Sequence, residues 1–172
     1  MAARSENPTH LNLLRWVPWR VAPMQITPAH AIYEQALVVN LVHFTNALQL
    51  LGELGIRTIT NPTIRDLPKV QNGVAQITRA IAICGDNFQH LPVPPMGGEE
   101  ADHCFRELGA VMVDLSGALK KLGDPKSSAD HSQDQKFLLT LVQRLKQLSR
   151  QGLELYEAVF PGRLKTVFEI LD

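Results

Sequence analysis

The sequence has few cysteines, few aromatic residues and no excess of charge of either sign. Two cysteines among 172 residues are too few for the disulfide framework of a small secreted domain. Seventeen basic residues balance seventeen acidic ones, so the composition gives no reason to expect binding to nucleic acid or to an anionic membrane surface. No run of 18 apolar residues lacks polar interruption, and we therefore expect no membrane span.

Motifs of nucleophilic and nucleotide-dependent catalysis are also missing. The sequence contains no Gly-x-Ser-x-Gly, no P-loop and no Gly-x-Gly-x-x-Gly. One Glu-x-x-His pair, Glu100 and His103, resembles locally the ligand pairs of di-iron bundles, but such a site needs two of these pairs and two further glutamates. We predict no metal and no other cofactor, and we favour a non-enzymatic protein.

Four long segments carry apolar residues at spacings of three and four, which is typical of amphipathic helices. They predict helices over 27–54, 68–90, 99–122 and 135–160. We expect a short helical turn within the connector 56–67, a polar loop over 124–134 and a short last helix over 163–171. The predicted fold class is all-α, an antiparallel four-helix bundle forming one domain over 27–172 and preceded by an irregular N-terminal arm.

The arm, residues 1–26, holds both tryptophans, Trp16 and Trp19. Pro18 and Pro23 prevent a long regular helix there. A secretory signal fits poorly, because prolines and arginines interrupt its short apolar run. A mitochondrial presequence and a true start at Met24 stay open as alternatives. A genuine arm either packs on its own domain or docks into a partner's groove. We predict a cytoplasmic location.

The first predicted helix is more apolar than a surface helix needs. On a helical wheel its apolar residues span an arc of about 200°, whereas a stripe of roughly 100° is usual. These residues are Ile32, Tyr33, Ala36, Leu37, Val39, Leu41, Phe44, Ala47, Leu48, Leu50, Leu51 and Leu54. Either this helix is central in the monomer or it forms an interface. We predict a protein–protein interaction protein that self-associates or binds a protein partner, with Trp16, Trp19, Val38 and Val42 as contact residues.

Polar and thiol side chains within the apolar stripes give an alternative. Asn40 and His43 lie one turn apart in the apolar arc. Cys84 and Cys104 each lie ten residues from Pro94, so a helical hairpin is expected to place them at one height. The alternative function is a small-ligand or metal site near these four residues, although their spacing matches no standard zinc pattern. The structural interpretation is a polar pair that fixes helix register and two inert, packed thiols.

Part of the fourth predicted helix is basic, through Lys136, Arg144, Lys146 and Arg150. Glu154 and Glu157 dilute this charge, and aromatic residues are not interleaved with it. We interpret the run as a solvated face and expect no nucleic acid partner.

Overall fold

The protein is all-helical over the residues that the structure describes. The computed structural model describes residues 26–124 and 131–164, with the main chain alone at positions 62, 131 and 132. Within these ranges it contains no strand, and its helices are α1 (Pro28–Leu54), α2 (Ile56–Thr60), α3 (Pro62–Arg65), α4 (Pro68–Gln89), α5 (Glu99–Leu122) and α6 (His131–Val159). The predicted all-α class is confirmed.

Local signals in the sequence account for most helix ends. The Thr27 side chain accepts a hydrogen bond from the His30 main-chain N–H, Pro28 occupies the first turn, and Gly55 ends α1 at a φ of 78°. Three acids in the first turn of α5 and two lysines in its last turn match the helix dipole.

Other boundaries differ from those predicted. The connector holds two short helices, α2 and α3, and α6 begins at His131, four residues before the predicted Gln135. Arg163 and Leu164 are not helical, and the rest of the predicted last helix lies outside the described residues. The same holds for residues 1–25 of the predicted arm.

Packing is uneven around the four long helices. Among the described elements, α4 packs extensively on α5, α5 on α6, and α1 on α4. In contrast, α1 and α6 make almost no main-chain contact, and α2 lies against α6 at that edge. Near the N-terminal end of α1, a side-chain hydrogen bond between Tyr156 and Glu34 bridges this edge.

A continuous apolar core fills the space between the helices. Phe44, Phe88 and Phe105 form its centre, with ring centroids 6.4 Å apart in each successive pair. Beside them α4 and α5 approach closely, since a Cβ added to Gly109 would lie 2.6 Å from the carbonyl oxygen of Gly85. Two glycines facing each other thus let the two backbones touch.

By length and composition, α1 is able to cross a membrane. One third of its most apolar 18-residue window is buried inside the protein. Core helices of soluble proteins and N-terminal signal sequences satisfy the same criteria, so this finding is weak evidence for a span.

Candidate functional site

The outward face of α1 carries apolar side chains that the described part of the chain does not bury. Leu37 and Phe44 lie in the core, but Ile32, Val39 and Leu50 are 59%, 48% and 47% exposed. A line of side chains at alternating spacings of four and three residues connects the exposed ones. We call this line the outward stripe; it consists of Ile32, Ala36, Val39, His43, Asn46 and Leu50. All are exposed except Ala36, which is half-buried.

The outward stripe contains no Asp, Glu, Lys or Arg. The acidic residues of α1 are Glu34, which is buried, and Glu53, near its C-terminal end, and the helix has no Lys or Arg. Surface helices of soluble domains normally present charged side chains to water. An uncharged, partly apolar stripe with 3–4 spacing is instead typical of a helix face that packs on another helix.

The predicted contact residues lie beside this stripe or beyond the described part of the chain. Val38 and Val42 are half-buried, and Val38 packs against the edge of the core. Trp16 and Trp19 lie outside the described residues. Their roles as contacts therefore stay predictions.

The structure separates the predicted polar pair of α1. Asn40 is buried, and its main-chain carbonyl oxygen accepts a hydrogen bond from the Cys84 Sγ at 3.6 Å. His43 is exposed on the outward stripe. The expectation that both lie within the buried face is wrong, because three residues turn a helix by about 300°, and the core face ends between the two positions.

The two cysteines are both buried and free, but they do not lie at one height. Gly85 faces Gly109, which places Cys84 level with about residue 110 and Cys104 roughly 9 Å nearer the turn. The symmetry about Pro94 fails because the 90–98 linker runs past the end of α4. As a result, the first turns of α5 extend beyond α4. Arg106 bridges this step with a hydrogen bond to the Leu91 carbonyl oxygen at 3.0 Å.

The thiols have the chemistry of buried packing groups. Burial raises the pKa of Cys84 to about 12, and it is also the main cause of the raised pKa of Cys104. Among the described residues, no group of three or more His, Cys, Asp and Glu side chains is arranged to hold a metal ion. A ligand role for Asn40, His43 and the cysteines stays a prediction that no contact in the structure supports.

We expect Cys84 to resist thiol reagents in the native protein, because the thiolate is the reactive form and burial disfavours it. With Ellman's reagent at pH 8, the Cys104→Ser variant should react at least a hundredfold more slowly when native than when unfolded in guanidinium. The Cys84→Ser variant measures the reaction rate of Cys104 with the same reagent. Rapid native labelling of Cys84, or protection of it by added zinc, would restore the reactive or metal-binding interpretation.

A buried polar network that the sequence analysis did not identify lies near the N-terminal end of α1. The Glu34 carboxylate accepts hydrogen bonds from the Tyr156 hydroxyl at 2.9 Å and from Arg163 Nε at 2.8 Å, and Arg163 Nη2 contacts its second oxygen. Burial alone would raise the pKa of Glu34, but these hydrogen bonds outweigh it and the net pKa is lowered. The Glu34 carboxylate therefore joins α1 both to the last turn of α6, through Tyr156, and to the segment that follows α6, through Arg163.

A second carboxylate completes the network. The Tyr33 hydroxyl donates to Asp102 Oδ1 at 3.0 Å, and Arg106 Nε donates to Asp102 Oδ2 at 2.7 Å. Tyr33 also stacks on Tyr156, with ring centroids 6.0 Å apart. Each carboxylate is bound by a tyrosine and an arginine, so we interpret the network as structural. One signal in the sequence pointed to it: Glu34 stands alone as an acid within an apolar run.

Comparison of the chain with protein-family models, with curated proteins and with solved structures found no match.

Proposed function

We propose that this chain is a non-enzymatic interaction protein, an adaptor, regulator or complex subunit, and that the outward stripe of α1 is its contact surface. The observation that carries the proposal is the half-exposed apolar side chains of Ile32, Val39 and Leu50 on a helix face without charge. Leaving such a stripe in water forgoes the free energy of burying it, about 25 cal/mol per Å² of apolar surface.

The partner that fits the stripe best is a second copy of the same chain. In an antiparallel pair of α1 helices centred near Leu41, Ile32 of each copy faces Leu50 of the other, and Ala36 faces Asn46. Such a two-fold interface must be self-complementary, and this pairing sets the large apolar ends against each other. No carboxylates and no Lys or Arg side chains oppose each other along the seam, because the stripe contains none of them.

The same proposal includes the arrangement of the helices. We infer an antiparallel four-helix bundle in the order α1, α4, α5, α6, which the packing of consecutive long helices supports. In this arrangement the outward stripe is on the outside of the bundle, with α4 on one flank. The proposal also includes the domain organisation, with an N-terminal arm over residues 1–26 and a single domain over residues 27–172.

Size-exclusion chromatography with light scattering tests the contact surface. We expect a dimer at micromolar concentration, and we expect Ile32→Glu to raise its dissociation constant at least tenfold, because each copy would bury a carboxylate against Leu50. Val113→Glu on α5 is the control, since Val113 is 42% exposed and α5 is not among the helices that pack extensively on α1. A monomeric wild type, or equal effects of the two substitutions, would remove the basis of the proposal.

A further inference from the structure

A cavity opens along the edge where α1 and α6 make almost no main-chain contact. It has a volume of about 750 Å³ and lies between the C-terminal half of α1, the start of α2, and α6. Its apolar wall consists of Phe44, Leu48, Leu51, Ile56, Leu139 and Val142. Gly52 widens it, because nothing lies within 4 Å of a Cβ added there. The cavity is thus an apolar recess that the described residues leave unfilled.

The rim of this cavity is basic. Arg57 of α2 and Lys146 and Arg150 of α6 line it, and no acidic side chain among the described residues does. Among the described ion pairs none involves these three cations, whereas Arg144 on the same helix binds Glu107 at 2.5 Å. The nearby acid Glu53 accepts a hydrogen bond from Gln49 at 3.0 Å. Within the basic run of α6, Arg144 is therefore held in an ion pair, whereas Lys146 and Arg150 lie at the rim of the cavity.

We propose that the cavity binds a free long-chain carboxylate, with its hydrocarbon chain on the apolar wall and its headgroup among Arg57, Lys146 and Arg150. An apolar recess with a few converging polar groups, and a volume between about 300 and 1,000 Å³, is typical of small-molecule sites. Charge complementarity selects an anionic headgroup over a cationic or neutral one.

The N-terminal arm of this chain is a less suitable occupant. Residues 1–26 contain three arginines and one glutamate, so their net charge has the same sign as the rim. Like charges brought together at a site oppose binding. The arm also holds both tryptophans of the chain, so tryptophan fluorescence reports on the arm and nowhere else.

Isothermal titration of the full chain with dodecanoate tests the proposal. We expect saturable one-to-one binding with a dissociation constant below about 1 mM. Dodecyltrimethylammonium, with the same chain length and the opposite charge, should bind at least tenfold more weakly. No saturable binding of dodecanoate, or equal affinity for the two amphiphiles, would overturn the proposal.

Two matched pairs of variants locate the binding site. Gly52→Leu projects a side chain into the recess and should weaken dodecanoate binding at least tenfold, whereas Gly117→Leu, at an equally open helical position, should not. Replacing the three rim cations by glutamine should have a similar effect. The same change at Lys69, Lys120 and Lys136, which do not line the cavity, controls for net charge. Equal losses within either pair would contradict the assignment.

Two further measurements distinguish dodecanoate binding in the cavity from occupation of the site by the N-terminal arm or by a membrane surface. Unchanged tryptophan emission on dodecanoate binding is expected, whereas a red shift would show displacement of the arm and overturn the proposal. Sedimentation with phosphatidylglycerol vesicles that depends on the rim cations would assign the site to a membrane surface instead. The Ile32→Glu variant should bind dodecanoate as the wild type does, so the cavity and the outward stripe can fail independently.

Discussion

Replacing Gly109 by alanine is expected to destabilise the protein by about 2–3 kcal/mol, because the added methyl group forces α4 and α5 apart. Its Cβ would lie 2.6 Å from the carbonyl oxygen of Gly85 and 2.8 Å from the Cβ of Phe88. Backbone atoms cannot rotate away as a flexible side chain can, so the helices themselves must shift. In thermal denaturation followed by circular dichroism, we expect the Tm to fall by roughly 4–12 °C.

Gly117→Ala is the matched control for this prediction. Gly117 lies on the same helix α5, and nothing lies within 4 Å of its added Cβ. Alanine should stabilise the protein there by about 0.5–1 kcal/mol, because it loses less conformational entropy in a helix. If both substitutions raised the Tm, the close contact of α4 and α5 at Gly109 would be disproved.

Replacing Glu34 by glutamine is expected to lower the free energy of unfolding by about 2 kcal/mol at pH 7, since its charge-assisted hydrogen bonds to Arg163 and Tyr156 are lost or weakened. The pKa of Glu34 is lowered from its ordinary value of 4.5 in the folded protein. Its contribution is therefore complete above pH 4.5 and is lost as the pH falls through the folded pKa. Urea titrations at a series of pH values should show the difference between wild type and variant shrinking below pH 4.5.

Glu53→Gln provides the control for the network. Glu53 lies on the same helix, is exposed, and is hydrogen-bonded to Gln49. An exposed carboxylate contributes little, so this substitution should change the free energy of unfolding by less than about 0.5 kcal/mol at every pH. Equal losses for the two variants, or a difference that persists at acidic pH, would show that the buried network does not stabilise the fold as inferred.

Much of the secondary structure was predictable from the sequence. Caps and stops are local signals, and the bounds of α1 and α5 follow from Thr27, Pro28, Gly55, the acidic first turn of α5 and Gly123. The start of α6 was placed too late, because the polar residues before Gln135 lack the apolar periodicity on which the prediction relied. Residues 131–134 are helical because they extend a helix that is already packed from Gln135 onward, and not because of their own apolar spacing.

The candidate sites were predicted less well, since they depend on distances between helices. The spacing of Asn40 and His43 predicted that both lie on one face of α1. The packing of α1 on its neighbours instead buries Asn40 and leaves His43 exposed. The symmetric spacing about Pro94 predicted that Cys84 and Cys104 lie at the same level along α4 and α5. The path of the 90–98 linker instead offsets them along the helix axes. The contact of Gly85 with Gly109, which only glycine permits, likewise depends on how two helices meet.

The sequence by itself determined that the chain is helical and that α1 has more apolar surface than one face can bury, because both properties depend on composition and periodicity within a single segment. Only the tertiary structure decided which side of α1 remains in water, which acids are bound by arginine, and where a cavity opens between α1 and α6. These features depend on how helices distant in sequence meet, and no periodicity within one helix contains that information.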